Sequence, residues 1–172
     1  TRRAADLCRQ MLLFAGRAEP VKEPLRLDEL VHEMARMLTV TVPPSASIEV
    51  DVAPDLPAIK ADPTQIRQVI MNLVTNSAEA LHESSGRINI RVKGVELSDS
   101  GIECRNCHRS IADGEYVLLE VEDDGRGMSE SIIDRLYEPF FSTKFTGRGM
   151  GLAVVQGVVA SHACHMTVES QP

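Results

Sequence analysis

Apolar residues recur along this chain at helical spacing in some stretches and at strand spacing in others. In residues 1–18, Leu7, Met11 and Phe14 fall at i, i+4 and i+7, with Ala4 extending the stripe and Arg and Gln on the other face. This predicts an amphipathic helix whose stripe wants a partner. Glu19-Pro20 ends it, because a residue before proline avoids the helical region. Residues 28–38 predict a second helix, capped by Asp28 and burying Leu30, Val31, Met34, Met37 and Leu38. The strongest helix spans 62–82, with Asp62 as N-cap and Pro63 at its first position. Ile66, Val69, Ile70, Leu73, Val74, Ala78 and Leu81 form its apolar face. Residues 129–136 predict a short helix and 150–162 an apolar one.

Alternation predicts strands over 47–52, near Ile59, from Gly86 through RINIRVKGVEL, over 115–122 and finally over HMTVES. The third and fourth read as a hairpin whose long polar tip is residues 98–114. Helices and strands intermix, with at least one hairpin, so the expected class is α+β with helices on one face of a mixed sheet.

Composition adds limits. Of 172 residues, 43% are hydrophobic and 25% charged, enough for one domain with a real core plus a short appendage. Aromatics are 3% with no Trp, so that core is aliphatic and Met-rich. A net charge of −7 argues against a broad nucleic-acid surface. A polyanion would have to be held locally, by helix N-termini, backbone N–H groups and a few cations. No apolar run reaches the ~20 residues of a membrane span. Together with the lack of a signal pattern and of a starting Met, this suggests a cytoplasmic fragment of a longer protein.

Three short motifs carry candidate chemistry. Asn72 and Asn76 sit four apart on the strong helix, so both carboxamides share one face, with Glu79 beside them. Carboxamide oxygens suit a hard cation such as Mg²⁺. EDDGRGM follows a strand; Gly125 and Gly127 permit positive φ and close backbone approach, and Asp123 can accept from an exocyclic amine such as adenine's. GRGMGL leads into a helix, with backbone N–H groups open to phosphate and Lys144 and Arg148 nearby as cations. Taken singly, the asparagine pair reads better as a solvated polar face or as buried amides bonded to backbone, and the two glycine motifs read also as a turn and a flexible linker.

The order of the motifs is more specific. Asn-x-x-x-Asn, then Asp-x-Gly-x-Gly, then EPFFSTK, then Gly-x-Gly-x-Gly resembles the catalytic domains of sensor histidine kinases in the GHKL ATPase superfamily. QVIMNLVTNSAEAL resembles that family's N box, DDGRGM its first glycine box, YEPFFSTK its F box and GRGMGLAVVQGVV its second glycine box. The match covers roughly 26–170 and is most similar to kinases of the nitrogen-regulation and hybrid types. It implies the Bergerat fold, a two-layer α/β sandwich, for residues 21–172. It also implies that residues 1–20 end the second helix of a dimerisation and phosphotransfer domain.

The resemblance further implies a site. ATP would contact Asn72, Asn76, Glu79, Asp123, Gly125, Gly127, Met128, Phe141, Thr143, Lys144, Gly147, Arg148, Gly149, Met150, Gly151 and Leu152. Asn76 with Asn72 would hold Mg²⁺, Asn72 would serve as the catalytic residue and Asp123 would recognise adenine. The γ-phosphoryl group would pass to a His on the dimerisation domain, in cis or in trans, and onward to a response-regulator receiver domain. Neither nucleic acid nor, for this piece, membrane is an expected partner. A hydrolysing clamp of the gyrase or chaperone kind is disfavoured, because those relatives carry Glu where Asn72 stands. A degenerate regulatory module is disfavoured by four intact boxes.

Some features depart from the family or stay unassigned. The last helix ends in His162-Ala163-Cys164-His165 where relatives have a Gly pair, which predicts an altered helix end. The chain stops where the family continues into one more strand, so an unpaired sheet edge is expected. Glu79 replaces a Lys or Arg found in some relatives, so no phosphate contact of that kind is expected there. His32, His82, His162 and His165 read as packed or solvated. Cys104-Arg-Asn-Cys107-His108 offers three ligands where Zn²⁺ usually takes four. A reduced loop pair and metal or redox use stand side by side there, and no metal is assigned.

Overall fold

The computed structural model describes residues 19–81, 85–98, 103–104, 109–136, 138, 141 and 151–172. The helix expected over 1–18 lies outside them, as do Thr143, Lys144, Gly147, Arg148, Gly149, Met150, His82, Cys107 and His108. In chain order the elements are β1 (Glu23–Leu25), α1 (Leu27–Leu38), β2 (Ala46–Val52), β3 (Ile59–Ala61), α2 (Pro63–Leu81), β4 (Gly86–Leu97), β5 (Glu103–Cys104), β6 (Arg109–Ser110), β7 (Gly114–Asp123), α3 (Glu130–Ile133) and α4 (Gly151–Ser161).

The main sheet runs β2-β4-β7, with β2 parallel and β7 antiparallel to β4. Its register sets Val50, Ile90 and Val121 side by side, and likewise Val52, Val92 and Leu119. Strand parity therefore gathers one apolar face. Two helices cover it: Leu30, Val31, Met34 and Leu38 from α1, and Ile70, Val74, Ala78 and Leu81 from α2. Ile88 and Ile90 of the central strand are fully buried. The opposite face is charged, with Arg91 paired to Glu122 at 2.9 Å. This is the expected α+β layering. β5 and β6 make a small ladder within the hairpin tip.

α2 also has a second apolar surface. Val69, Ile66 and Leu73 pack against Val155, Val158 and Val159 of α4. Its N-terminus is capped as expected: Asp62 Oδ1 accepts from Thr64 N at 2.9 Å and Gln65 N at 3.2 Å. The other oxygen of Asp62 accepts from Val21 N at 3.0 Å.

Several expectations need correction. Asp28 does not cap α1: the N-cap residue is Arg26, without a side-chain cap bond. Asp28 lies in the first turn and pairs with Arg26 at 2.7 Å. That hydrogen-bonded guanidinium lowers the Asp28 carboxyl below its ordinary value. Met37 is 61% exposed, and Leu27 and Ala35 join the buried stripe in its place. β1 was not foreseen; its three residues contain a proline, and they pair with β3. The helix near 130 is α only from Glu130 to Ile133 and continues as turns to Leu136.

HMTVES forms no strand. Alternation favours extended backbone, but a strand also needs a ladder partner, and none pairs with this segment among the described residues. Its Ser170 instead meets the loop after β7. Among the described residues β7 is accordingly an edge, and its inward Val117, Leu119 and Val121 are only partly buried.

The end of α4 keeps the geometry that a glycine normally provides. Cys164 N bonds Val159 O at 3.0 Å and Ala163 N bonds Ala160 O at 3.2 Å. These are the two bonds of a Schellman cap. Ala163 takes the left-handed position at φ +55°, so the cap persists with a strained alanine in it.

Candidate functional site

One stripe of α2 organises the site. Asn72, Asn76 and Ala80 lie at successive i+4 positions, so they line one side of the helix over about 12 Å. Each end of the stripe meets a glycine from a distant part of the chain.

At one end Gly151 opens α4. Asn72 Nδ2 donates to Gly151 O at 3.2 Å, and Asn72 Oδ1 accepts from Gln68 Nε2 at 3.2 Å. A Cβ placed on Gly151 would stand 3.6 Å from Asn76 Nδ2 and 3.7 Å from its Oδ1. The N-terminus of an eleven-residue helix thus sits directly on the asparagine pair. Asn76 is half-buried, and its carboxamide has no hydrogen-bond partner among the described residues. Leu152 follows Gly151 and is half-buried. Glu79 is exposed, one residue before Ala80.

At the other end β7 delivers Asp123. In register with Ile88 and in phase with Val121, Asp123 belongs to the helix-covered face of the sheet. Asp123 Oδ1 accepts from Gly125 N at 2.9 Å. Its Oδ2 has no bond among the described residues. The neighbouring Asp124 is engaged elsewhere, accepting from Arg87 N at 3.1 Å and lying 3.5 Å from Arg87 Nε. Of two consecutive aspartates, the structure leaves Asp123 facing the α2 stripe.

Gly125 has a physical reason to be glycine. A Cβ there would come within 2.5 Å of Asp123 Oδ1 and 2.7 Å of Ala80 Cβ. The close approach lets Arg126 N reach Ala80 O at 3.4 Å. Gly127, at φ +63°, lies against Gln171 O, and Met128 N donates to Ser170 Oγ at 2.9 Å.

Among the described residues, then, Asn72, Asn76 and Gly151 come together at one end of the stripe, and Asp123 and Gly125 at the other. Gly127 and Met128 follow in the same loop. Phe141 is held differently: the Arg135 guanidinium stands 4.2 Å over its ring, and Arg135 pairs with Glu138 at 3.0 Å. No contact joins Phe141 to the asparagines among the described residues. Sequence reasoning missed Ala80 and Gln68. Ala80 was legible as a small residue continuing the i+4 series, whereas nothing in the pattern marked Gln68.

A sheet covered by helices on one face, a polar stripe on a covering helix and glycine turns at both ends define an ATPase-type nucleotide-binding domain. Residues 61–172 match the family described as histidine kinase-, DNA gyrase B- and HSP90-like ATPases, and the chain belongs to that family. Among curated relatives, the sensor kinase CckA of Brucella abortus is 33% identical, covering 91% of this chain and 16% of that protein. The sensory histidine kinase/phosphatase NtrB of Rhodobacter capsulatus is 30% identical over the whole chain and 47% of its own length. The chain therefore spans less than half of either relative. Among solved structures, full-length ShkA in complex with AMPPNP superposes with a TM-score of 0.68 at 24% identity, covering 92% of this chain and 31% of that one. The catalytic domain of histidine kinase ThkA gives 0.63 at 23% identity, covering 82% of this chain and 81% of that one. Both share the fold.

Proposed function

We propose that this domain binds ATP with Mg²⁺ along the α2 stripe and presents the γ-phosphoryl group to a His on a separate dimerisation domain. The observation that carries this reading is the meeting of Gly151 with Asn72 and Asn76 at one end of the α2 stripe, whose other end meets the Asp123–Gly125 turn. The span of about 12 Å suits a nucleotide laid lengthwise, with adenine at Asp123 and phosphates at Gly151. Asp123 Oδ2 accepts from the adenine amine while Oδ1 stays on Gly125 N. The positive end of α4 faces the phosphates, which offsets the acidic character of the chain. Lys144 and Arg148, in the segment leading to α4, add charge.

The donor set fits Mg²⁺. Asn76 offers a carboxamide oxygen with no bond among the described residues, and Asn72 keeps a second lone pair on Oδ1. Bound there, the ion neutralises and orients phosphate oxygens. Asn72 itself holds the start of α4 while doing so. It lacks the carboxylate needed to activate water, which favours transfer over hydrolysis. Such transfer relies mainly on positioning and electrostatics.

The relatives named above are sensor kinases, and the ThkA kinase has been solved with the response regulator TrrA. By that analogy, a receiver domain is the next acceptor. No helix among the described residues is long and apolar enough to cross a membrane. We place the domain in the cytoplasm, whether or not the whole protein is anchored.

Calorimetric titration with a non-hydrolysable ATP analogue tests the reading. Binding in the micromolar range, about −8 kcal/mol, that tightens with Mg²⁺ is expected. A folded chain that binds no nucleotide under either condition would refute it.

A further inference from the structure

His162 is 8% exposed and sits where α4 ends. Its ring joins two elements 100 residues apart: Asp62 N donates to His162 Nε2 at 3.0 Å. An accepting Nε2 must carry the lone pair, so the proton is on Nδ1, which lies 2.9 Å from Val158 O and donates to it. The adjacent Ser161 Oγ lies 2.9 Å from Val158 O and 3.2 Å from Gln65 Oε1, and its one proton serves one of them at a time. The start of α2 and the end of α4 are thus tied by directional bonds.

The two helices run antiparallel. The tie at Asp62–His162 and the contact at Asn72–Gly151 are separated by ten residues on α2 and eleven on α4, about 15 and 16 Å. Between them, beyond the Ser161–Gln65 contact, the helices pack through an apolar strip centred on Val69, Val155 and Val158. Apolar burial is non-directional and tolerates small slides and tilts. Polar pins do not, because breaking them leaves buried groups unsatisfied.

We propose that His162 is a positioning residue for the nucleotide site. It fixes the far end of α4 and so sets where Gly151 meets Asn72 and Asn76. The lever is long enough to matter: a tilt of about 5° over about 16 Å moves Gly151 by roughly 1 Å. A misplacement of that size can cost up to about a hundredfold in function. The inference rests on the nucleotide reading of the α2 stripe, but the pin itself is a property of the free protein.

The test separates positioning from stability. H162L and H162F each remove the acceptor for Asp62 N and the donor to Val158 O. Both are made in the A163G background, where relief of the left-handed alanine should raise the melting temperature by about 2–4 °C. H162Q is the conservative variant, since its Oε1 can accept from Asp62 N. Two readouts follow: the Asn72 side-chain amide resonances in the nucleotide-free protein, and affinity for the ATP analogue. With melting temperature restored, H162L or H162F should still shift or broaden the Asn72 resonances and weaken binding roughly ten- to hundredfold. H162Q should stay near wild type in both. If the removal variants leave Asn72 unshifted and affinity unchanged once stability is restored, His162 is a packed core residue and the proposal fails. If the wild type binds no nucleotide, the functional reading falls, while the Asn72 resonances still decide whether the pin exists.

Discussion

Asp123→Asn should weaken binding of the ATP analogue by about thirty- to hundredfold, or roughly 2–3 kcal/mol, while leaving the fold intact. Asp123 has two oxygens and two tasks. Oδ1 already takes the Gly125 amide at 2.9 Å, and Oδ2 is left for the adenine amine. An asparagine has one oxygen. If that oxygen keeps Gly125, an NH₂ group faces the adenine NH₂, donor against donor. If it turns to adenine, the Gly125 N–H loses its acceptor and the turn packed on Ala80 loosens. Either way an unpaired polar contact is buried beneath the base. The same change at Asp124 should do little to affinity, because that carboxylate serves Arg87 at the start of β4. Equal loss in the two variants would move the adenine anchor away from Asp123.

Asn76→Ala should abolish most of the Mg²⁺-dependent gain in affinity and slow phosphoryl transfer roughly a hundredfold, within the range for lost metal-shell groups. Binding measured without Mg²⁺ should change by less than about twofold, roughly 0.4 kcal/mol. Stability should hardly move, since the Asn76 carboxamide has no hydrogen bond among the described residues to lose. Asn72→Ala makes an informative contrast. Asn72 bonds both Gln68 and Gly151, so its loss should also cost about 1–2 kcal/mol of stability. A metal effect confined to Asn72, with Asn76→Ala unchanged, would reverse the assignment of the two asparagines.

Much of this architecture is legible in the amino-acid sequence. The Asp62-Pro63 start of α2, the hairpin strands and the apolar α4 all follow local rules that the packed structure does not override. The asparagine pair and the Asp-x-Gly-x-Gly turn, both visible as motifs, lie at the two ends of the α2 stripe. What escaped depends on long-range pairing. β1 exists only because β3 lies beside it. HMTVES alternates like a strand yet finds no ladder among the described residues. Asp28 had the right chemistry for a cap, but it stands two residues past the N-cap position, with its carboxylate in an ion pair with Arg26. His162 looked like an ordinary packed histidine, since no periodicity announces a bond between residues 62 and 162. The cap at Ala163 shows the converse case: the expected glycine chemistry is absent, and the backbone adopts the turn regardless.

In the proposed chemistry the bound nucleotide is held for transfer to histidine. The most direct measurement is incubation of the domain with γ-labelled ATP, Mg²⁺ and a separately supplied dimerisation domain bearing the acceptor His. Acid-labile label should appear on that domain and not on this chain, and should be lost with Asn76→Ala. Steady release of inorganic phosphate, with no label on the supplied histidine, would contradict transfer and point to a hydrolysing clamp instead.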